Sequence, residues 1–119
     1  MNRRQLSYSI TEDLSKIAEM FARKNKVYGA DGEDAFYNFT KGAELMFKEA
    51  TFDTKFRTLM AYASKHVVTL AVPNAILNDT DFAERCLDIA VYMLIARAMK
   101  KETVKAQSEE PAMSPTYGV

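Results

Sequence analysis

The chain has 119 residues, 48% of them hydrophobic, which suits one folded domain and excludes a disordered chain. Its 16 basic and 16 acidic residues cancel, and the pI of about 6.6 excludes the electrostatic footprint of a general nucleic-acid binder. A single cysteine, Cys86, excludes an intrachain disulfide, and no apolar run suits a signal peptide or a bilayer span, so the expectation is a soluble cytoplasmic protein with no membrane or nucleic-acid polymer as partner.

Hydrophobic periodicity predicts four helices and no strand, an all-α four-helix bundle. The first helix is expected from about Thr11 to Asn25, with Leu14, Ile17, Ala18 and Phe21 as its apolar stripe. Ser9 and Glu12 have the spacing of a capping box before it, and Gly29 can stop it. Next comes Tyr28-Gly29-Ala30-Asp31-Gly32-Glu33-Asp34, a loop with two glycines and three acids. It is not an EF-hand, because the sixth position from Asp31 is Phe36 where glycine is required. It is not a phosphate-binding P-loop either, since no Gly-Lys-Ser/Thr follows.

The second helix is expected from about Asp34 to Ala50, with Phe36, Phe39, Ala43 and Met46 or Phe47 facing inward. The third opens at Thr51 or Asp53 and runs to Ala71, with Phe56, Leu59, Ala63, Val67 and Leu70 as its apolar face and Pro73 closing it. The fourth starts between Asp79 and Asp81 and reaches Lys100-Lys101. Residues 1–103 then form the helical domain, and residues 104–119 a polar, proline-bearing tail without helical structure.

The fourth helix is the informative one. From Cys86 to Ala98 it is apolar almost all round, with Asp88 and Arg97 as the charged exceptions. Such a helix needs cover on most sides, more than three neighbours in one small chain supply, so a homo-oligomer is expected. Cys86 reads as a small packing hydrophobe. Asp88 must be paired, protonated or ligated in such surroundings. Asp81, Glu84 and Asp88 share one helix face, a pattern that suits Mg²⁺ bridging to a nucleotide. A pair with a lysine or histidine on a neighbouring helix satisfies Asp88 equally well.

The third helix carries Tyr62, Lys65, His66 and Thr69. Lys65 suits a phosphate or Asp88, and His66 a hydrogen bond to a ligand. As the only histidine, His66 excludes a multi-histidine zinc site. Nothing resembles a Gly-x-Ser-x-Gly elbow or a cysteine with a base.

Together, Lys26-Val27-Tyr28-Gly29, Phe36, Asn38-Phe39, Ala43, Lys65, Glu84 and Asp88-Ile89-Ala90-Val91-Tyr92 resemble the small phage-type, nucleotide-modification-associated proteins of the MazG-like group, over roughly residues 10 to 101. That group is similar to the all-α nucleoside triphosphate pyrophosphatases, dimeric dUTPases included. The resemblance implies an oligomeric helical bundle that holds nucleotide phosphates through Mg²⁺ on helix carboxylates. Catalytic members carry Glu-Glu-x-x-Glu on one helix and Glu-x-x-Asp on a later one. Asp88 matches the later Asp, but the position three before it is Arg85, with Glu84 four before. Glu44 and Glu49 do not reproduce the first pattern, so half of the cage is missing or moved.

The expectation is therefore a nucleotide or nucleotide-derived ligand. Glu84 and Asp88 would hold Mg²⁺ with Asp81 outside them, Lys65 would meet phosphate, and Tyr28, Asn38, His66 and Tyr92 would line the base or ribose. A Mg²⁺-dependent pyrophosphohydrolase is one form of this reading. A non-catalytic protein that sequesters a nucleotide in phage–host conflict is another. The third is a ligand-free helical interaction module in which Asp88 pairs with Lys65.

Overall fold

The computed structural model describes residues 1–28, 35–72 and 77–108, with side chains for 1–23, 35–72 and 77–107. Among the described residues there are four helices and no strand: α1 (Arg3–Tyr28), α2 (Tyr37–Phe47), α3 (Phe52–Ala71) and α4 (Asp79–Ser108). No helix among them is long and apolar enough to cross a membrane.

Local hydrogen bonds explain the boundaries. α1 begins well before Thr11 because Asn2 and Gln5 cap it reciprocally. The Gln5 N–H donates to Asn2 Oδ1 at 2.9 Å, and the Asn2 N–H donates to Gln5 Oε1 at 2.8 Å. Ser9 and Glu12 lie inside the helix, so the expected cap there is not one. The loop at residues 29–34 lies outside the described residues, as does Pro73.

α2 ends at Lys48, whose φ of 64° is left-handed, and the Lys48 N–H closes the turn on the Glu44 carbonyl at 3.0 Å. α3 starts on a full capping box. The Thr54 N–H donates to Thr51 Oγ1 at 3.2 Å and the Thr51 N–H to Thr54 Oγ1 at 2.9 Å. The Thr54 hydroxyl also donates to the Glu49 carbonyl at 2.9 Å, which ties the corner to α3. Asn78 caps α4 by accepting the Asp81 N–H at 2.8 Å, and Asp79 and Asp81 face the positive end of the helix dipole. α4 runs past Thr103 to Ser108 because residues 103–107 contain neither proline nor glycine. The segment expected to be a tail is thus helical at its start, and residues 109–119 lie outside the described residues.

α3 stands between α2 and α4, and α1 approaches α4 alone. Phe36 and Phe39 at α2, Leu59 of α3 and Met99 of α4 form the core cluster, with Phe52, Tyr62, Tyr92, Ile95 and Ala96 packed around it. The buried face of α3 is rotated from the expected one. Thr54, Thr58, Leu59 and Ala63 are buried, while Val67 is 49% exposed. Thr58 tolerates complete burial because its hydroxyl donates to the Thr54 carbonyl at 2.8 Å. α2 comes so close to this face that its contact residue is Gly42. Met46 and Phe47, expected on the inner stripe, are exposed.

Two substitutions test this packing. A Cβ at Gly42 would stand 2.7 Å from Thr58 Cγ2 and 2.9 Å from Tyr62 Oη. Gly42→Ala is expected to lower stability by on the order of 1 kcal/mol in urea titration, overpacking outweighing the gain in helix propensity. Lys48→Gly is expected to raise it by about 1 kcal/mol, because it removes the cost of a left-handed side-chain-bearing residue.

Candidate functional site

The polar residues that converge do so where α3 meets α4. Arg85 Nη1 lies 2.9 Å from His66 Nδ1. A guanidinium only donates, so Nδ1 accepts, and the ring proton sits on Nε2. Asp88 Oδ2 is 3.8 Å from the same Nδ1, too long for a hydrogen bond. The His66 side chain is 18% exposed and that of Asp88 47%. The cluster therefore has a covered floor and an open edge.

Aromatic rings form the floor. Tyr92 lies against His66 with centroids 5.8 Å apart, and meets Phe39 edge-on at 6.4 Å. Phe39 in turn packs on Tyr62 at 5.6 Å. The row runs from α2 through the core to the polar edge. Burial first, then the Asp88 charge, then Tyr62 raise the Tyr92 phenol above its ordinary 10.0. The phenol is thus held as a neutral donor beside the carboxylate.

Three of the expected site residues, His66, Asp88 and Tyr92, come together here. Lys65 is exposed on α3 and makes no ion pair with Asp88, which faces His66 instead. Asn38 is exposed in the first turn of α2. Tyr28 is the last residue of α1, and its side chain lies outside the described residues. Asp81 and Glu84 are exposed on α4. Asp88 is less enclosed than its apolar sequence neighbours imply, because it stands at the open edge of the α3–α4 contact. Cys86, expected to pack inside, is exposed because it lies on the side of α4 away from α3. Sequence reasoning passed over Arg85, noted only as a mismatch to an acidic pattern. Its signal was its spacing, since a residue three before Asp88 and seven before Tyr92 shares their helix face.

Among the described residues no group of three or more His, Cys, Asp or Glu side chains is placed to hold a metal ion. What α4 offers a cation is the i, i+4 pair Glu84 and Asp88, with the Arg85 charge between them. Glu44 is engaged with Lys41 at 3.7 Å on the exposed side of α2. The arrangement sets hydrogen-bond donors on Arg85 and His66 Nε2, an acceptor on Asp88 and the Tyr92 ring side by side.

No family model matches the chain, and no curated protein or solved structure matches it.

The raised Tyr92 phenol has a consequence at high pH. Above about pH 10 the unfolded chain ionises this phenol while the fold keeps it protonated, so stability falls with pH until the folded-state value is reached. Tyr92→Phe is expected to flatten that decline in denaturant midpoints measured between neutral and strongly alkaline pH. Asp88→Asn is expected to bring the phenol partway back toward 10.0 in an absorbance titration.

Proposed function

We propose that this chain is a homo-oligomeric helical protein that binds a nucleotide or nucleotide-derived molecule at the α3–α4 edge, without rapid turnover. The observation that carries the reading is the mixed cluster of Arg85, His66 and Asp88 beside the Tyr92 ring. A guanidinium with one N–H engaged keeps others for phosphate oxygens. Asp88 suits a sugar hydroxyl or a base amine, and the His66 Nε2–H a base or phosphate acceptor. Lys65, next in sequence to His66 and exposed, supplies a second positive charge at the rim. Asn38 and Tyr28 are the proposed outer contacts.

The nucleotide class comes from the resemblance to MazG-like proteins. Mg²⁺ joins the reading only as the companion of the ligand's phosphates, with Glu84 and Asp88 as its protein carboxylates and Asp81 outside them; Mg²⁺ commonly takes one or two. The departure from the Glu-Glu-x-x-Glu and Glu-x-x-Asp patterns of catalytic members favours binding, hence sequestration, over pyrophosphohydrolysis.

A second reading, a helical interaction module, is favoured by a different observation. Leu6, Ile10 and Leu14 of α1 and Phe82 and Leu94 of α4 are about half exposed.

A thermal-shift panel of linear and cyclic nucleotides, with and without Mg²⁺, separates the readings. A ligand at ~100 times its dissociation constant adds about 2.7 kcal/mol, a rise on the order of 10 °C for a domain of this size. Arg85→Met is expected to abolish the shift while the empty protein melts within a few degrees of wild type. Intact recovery of the bound nucleotide is expected. Steady release of pyrophosphate would overturn the non-catalytic part, and no shift with any nucleotide would leave the interaction module.

A further inference from the structure

α4 presents a second face, away from α3, whose large apolar side chains are left about half exposed. Phe82, Met93 and Leu94 there are 55%, 41% and 47% exposed, and Cys86 is exposed beside them. At 100° per residue these side chains, with Ala90, lie on the side of α4 opposite Asp88, Tyr92 and Met99.

Charge is segregated along the same helix. Its first turns carry Asp79, Asp81 and Glu84, all exposed. Its later turns carry Arg97, Lys100 and Lys101, with Glu102 the one acid beside them. Lys100 is turned toward α3, where its ammonium lies 4.8 Å from the Phe52 ring centroid. Arg97 and Lys101 are exposed, and both fall on the outward apolar face, as does Asp79.

We propose that this face binds α4 of a second copy, antiparallel, across a two-fold axis at Ala90. A parallel pair would set acid against acid, base against base and dipole beside dipole. An antiparallel pair joins each acidic end to a basic one. Matching Asp79 to Lys101 of the partner subunit fixes the register, since Ala90 is midway between them. That register sets Cys86 at the level of Leu94 of the partner subunit. Alanine at the axis lets the two backbones approach closely. The face is self-complementary, as a two-fold interface requires. The inference rests on reading the chain as a homo-oligomer and adds the surface and its direction.

Sedimentation and mild copper-phenanthroline oxidation test it on the full chain. A dimer is expected in solution. Oxidation is expected to give covalent dimer in Leu94→Cys, where residues 86 and 94 of opposite copies meet. It is not expected in wild type or in Cys86→Ser/Leu94→Cys, where like positions lie about 12 Å apart along the axis at roughly 1.5 Å per residue. Lys101→Glu is expected to weaken association about ten-fold, since each dimer has two such contacts, and Asp79→Lys added to it to restore association. A monomer overturns both this interface and the homo-oligomer reading. A dimer in which wild-type Cys86 links to itself, or in which Lys101→Glu has no effect, overturns the interface alone.

Discussion

At Gly42 the α2 backbone comes close enough to α3 that Thr58 and Tyr62 occupy the space a Cβ would need. The rest of the structure is positioned from that approach. It brings Phe39 onto Tyr62, and Phe39 then meets Tyr92 from α4. Tyr92 lies against His66, and His66 accepts from Arg85. One missing side chain on α2 thus sets, through a row of rings, the polar cluster one turn further along the same face of α3. The threonines of the α3 N-terminus keep that helix in place. They satisfy their own hydroxyls on nearby backbone carbonyls, so they can be buried without an unpaired polar atom.

The polar edge is an electrostatic compromise. Arg85 donates to His66 Nδ1, and Asp88 Oδ2 stands 3.8 Å from the same nitrogen. Opposite charges thus meet at one ring atom, and His66 is left with its Nε2–H as a donor. Such an arrangement suits a ligand that carries both negative oxygens and hydrogen-bond donors. Among the described residues no three ligating side chains converge on a divalent cation, so Mg²⁺ enters the proposal only with the ligand's phosphates. The reading of the site as one of recognition follows from this balance of charges.

How much of this the sequence disclosed depended on the kind of signal. The four helices were legible because apolar spacing is a strong cue, and Thr51 marked the start of α3 correctly. The first helix was started too late because an Asn–Gln pair caps as well as the Ser–Glu pair that was singled out. The last helix was ended too early because polarity was read as an end, whereas polar residues without proline continue an exposed helix. The inner face of α3 departs from the apolar stripe because Thr54 and Thr58 are buried in it, the Thr58 hydroxyl being satisfied within the helix. Asp88, expected to be enclosed and therefore paired, is about half exposed. That it comes near His66, and not Lys65, depends on the rotation of α3 against α4, which spacing within either helix does not encode. Lys48, left-handed without being glycine, gave no sequence cue at all.

The single chain has a thin core for its size: among the described residues the buried apolar side chains are Ile17, Phe36, Phe39, Ala43, Leu59, Ala63 and Met99. α3 covers one side of α4, and the other keeps Phe82, Met93 and Leu94 about half exposed, so the proposed ligand edge and the proposed subunit contact lie on opposite sides of one helix. The central claim concerns the ligand edge. Because His66 is the only histidine, a long-range ¹H–¹⁵N NMR spectrum of its ring, recorded with and without nucleotide, addresses that claim most directly. The account requires Nδ1 without a proton and Nε2 with one in the empty protein, and a displacement of both signals on nucleotide addition that Arg85→Met abolishes. Ring signals unmoved by saturating nucleotide, or moved equally in Arg85→Met, would contradict it.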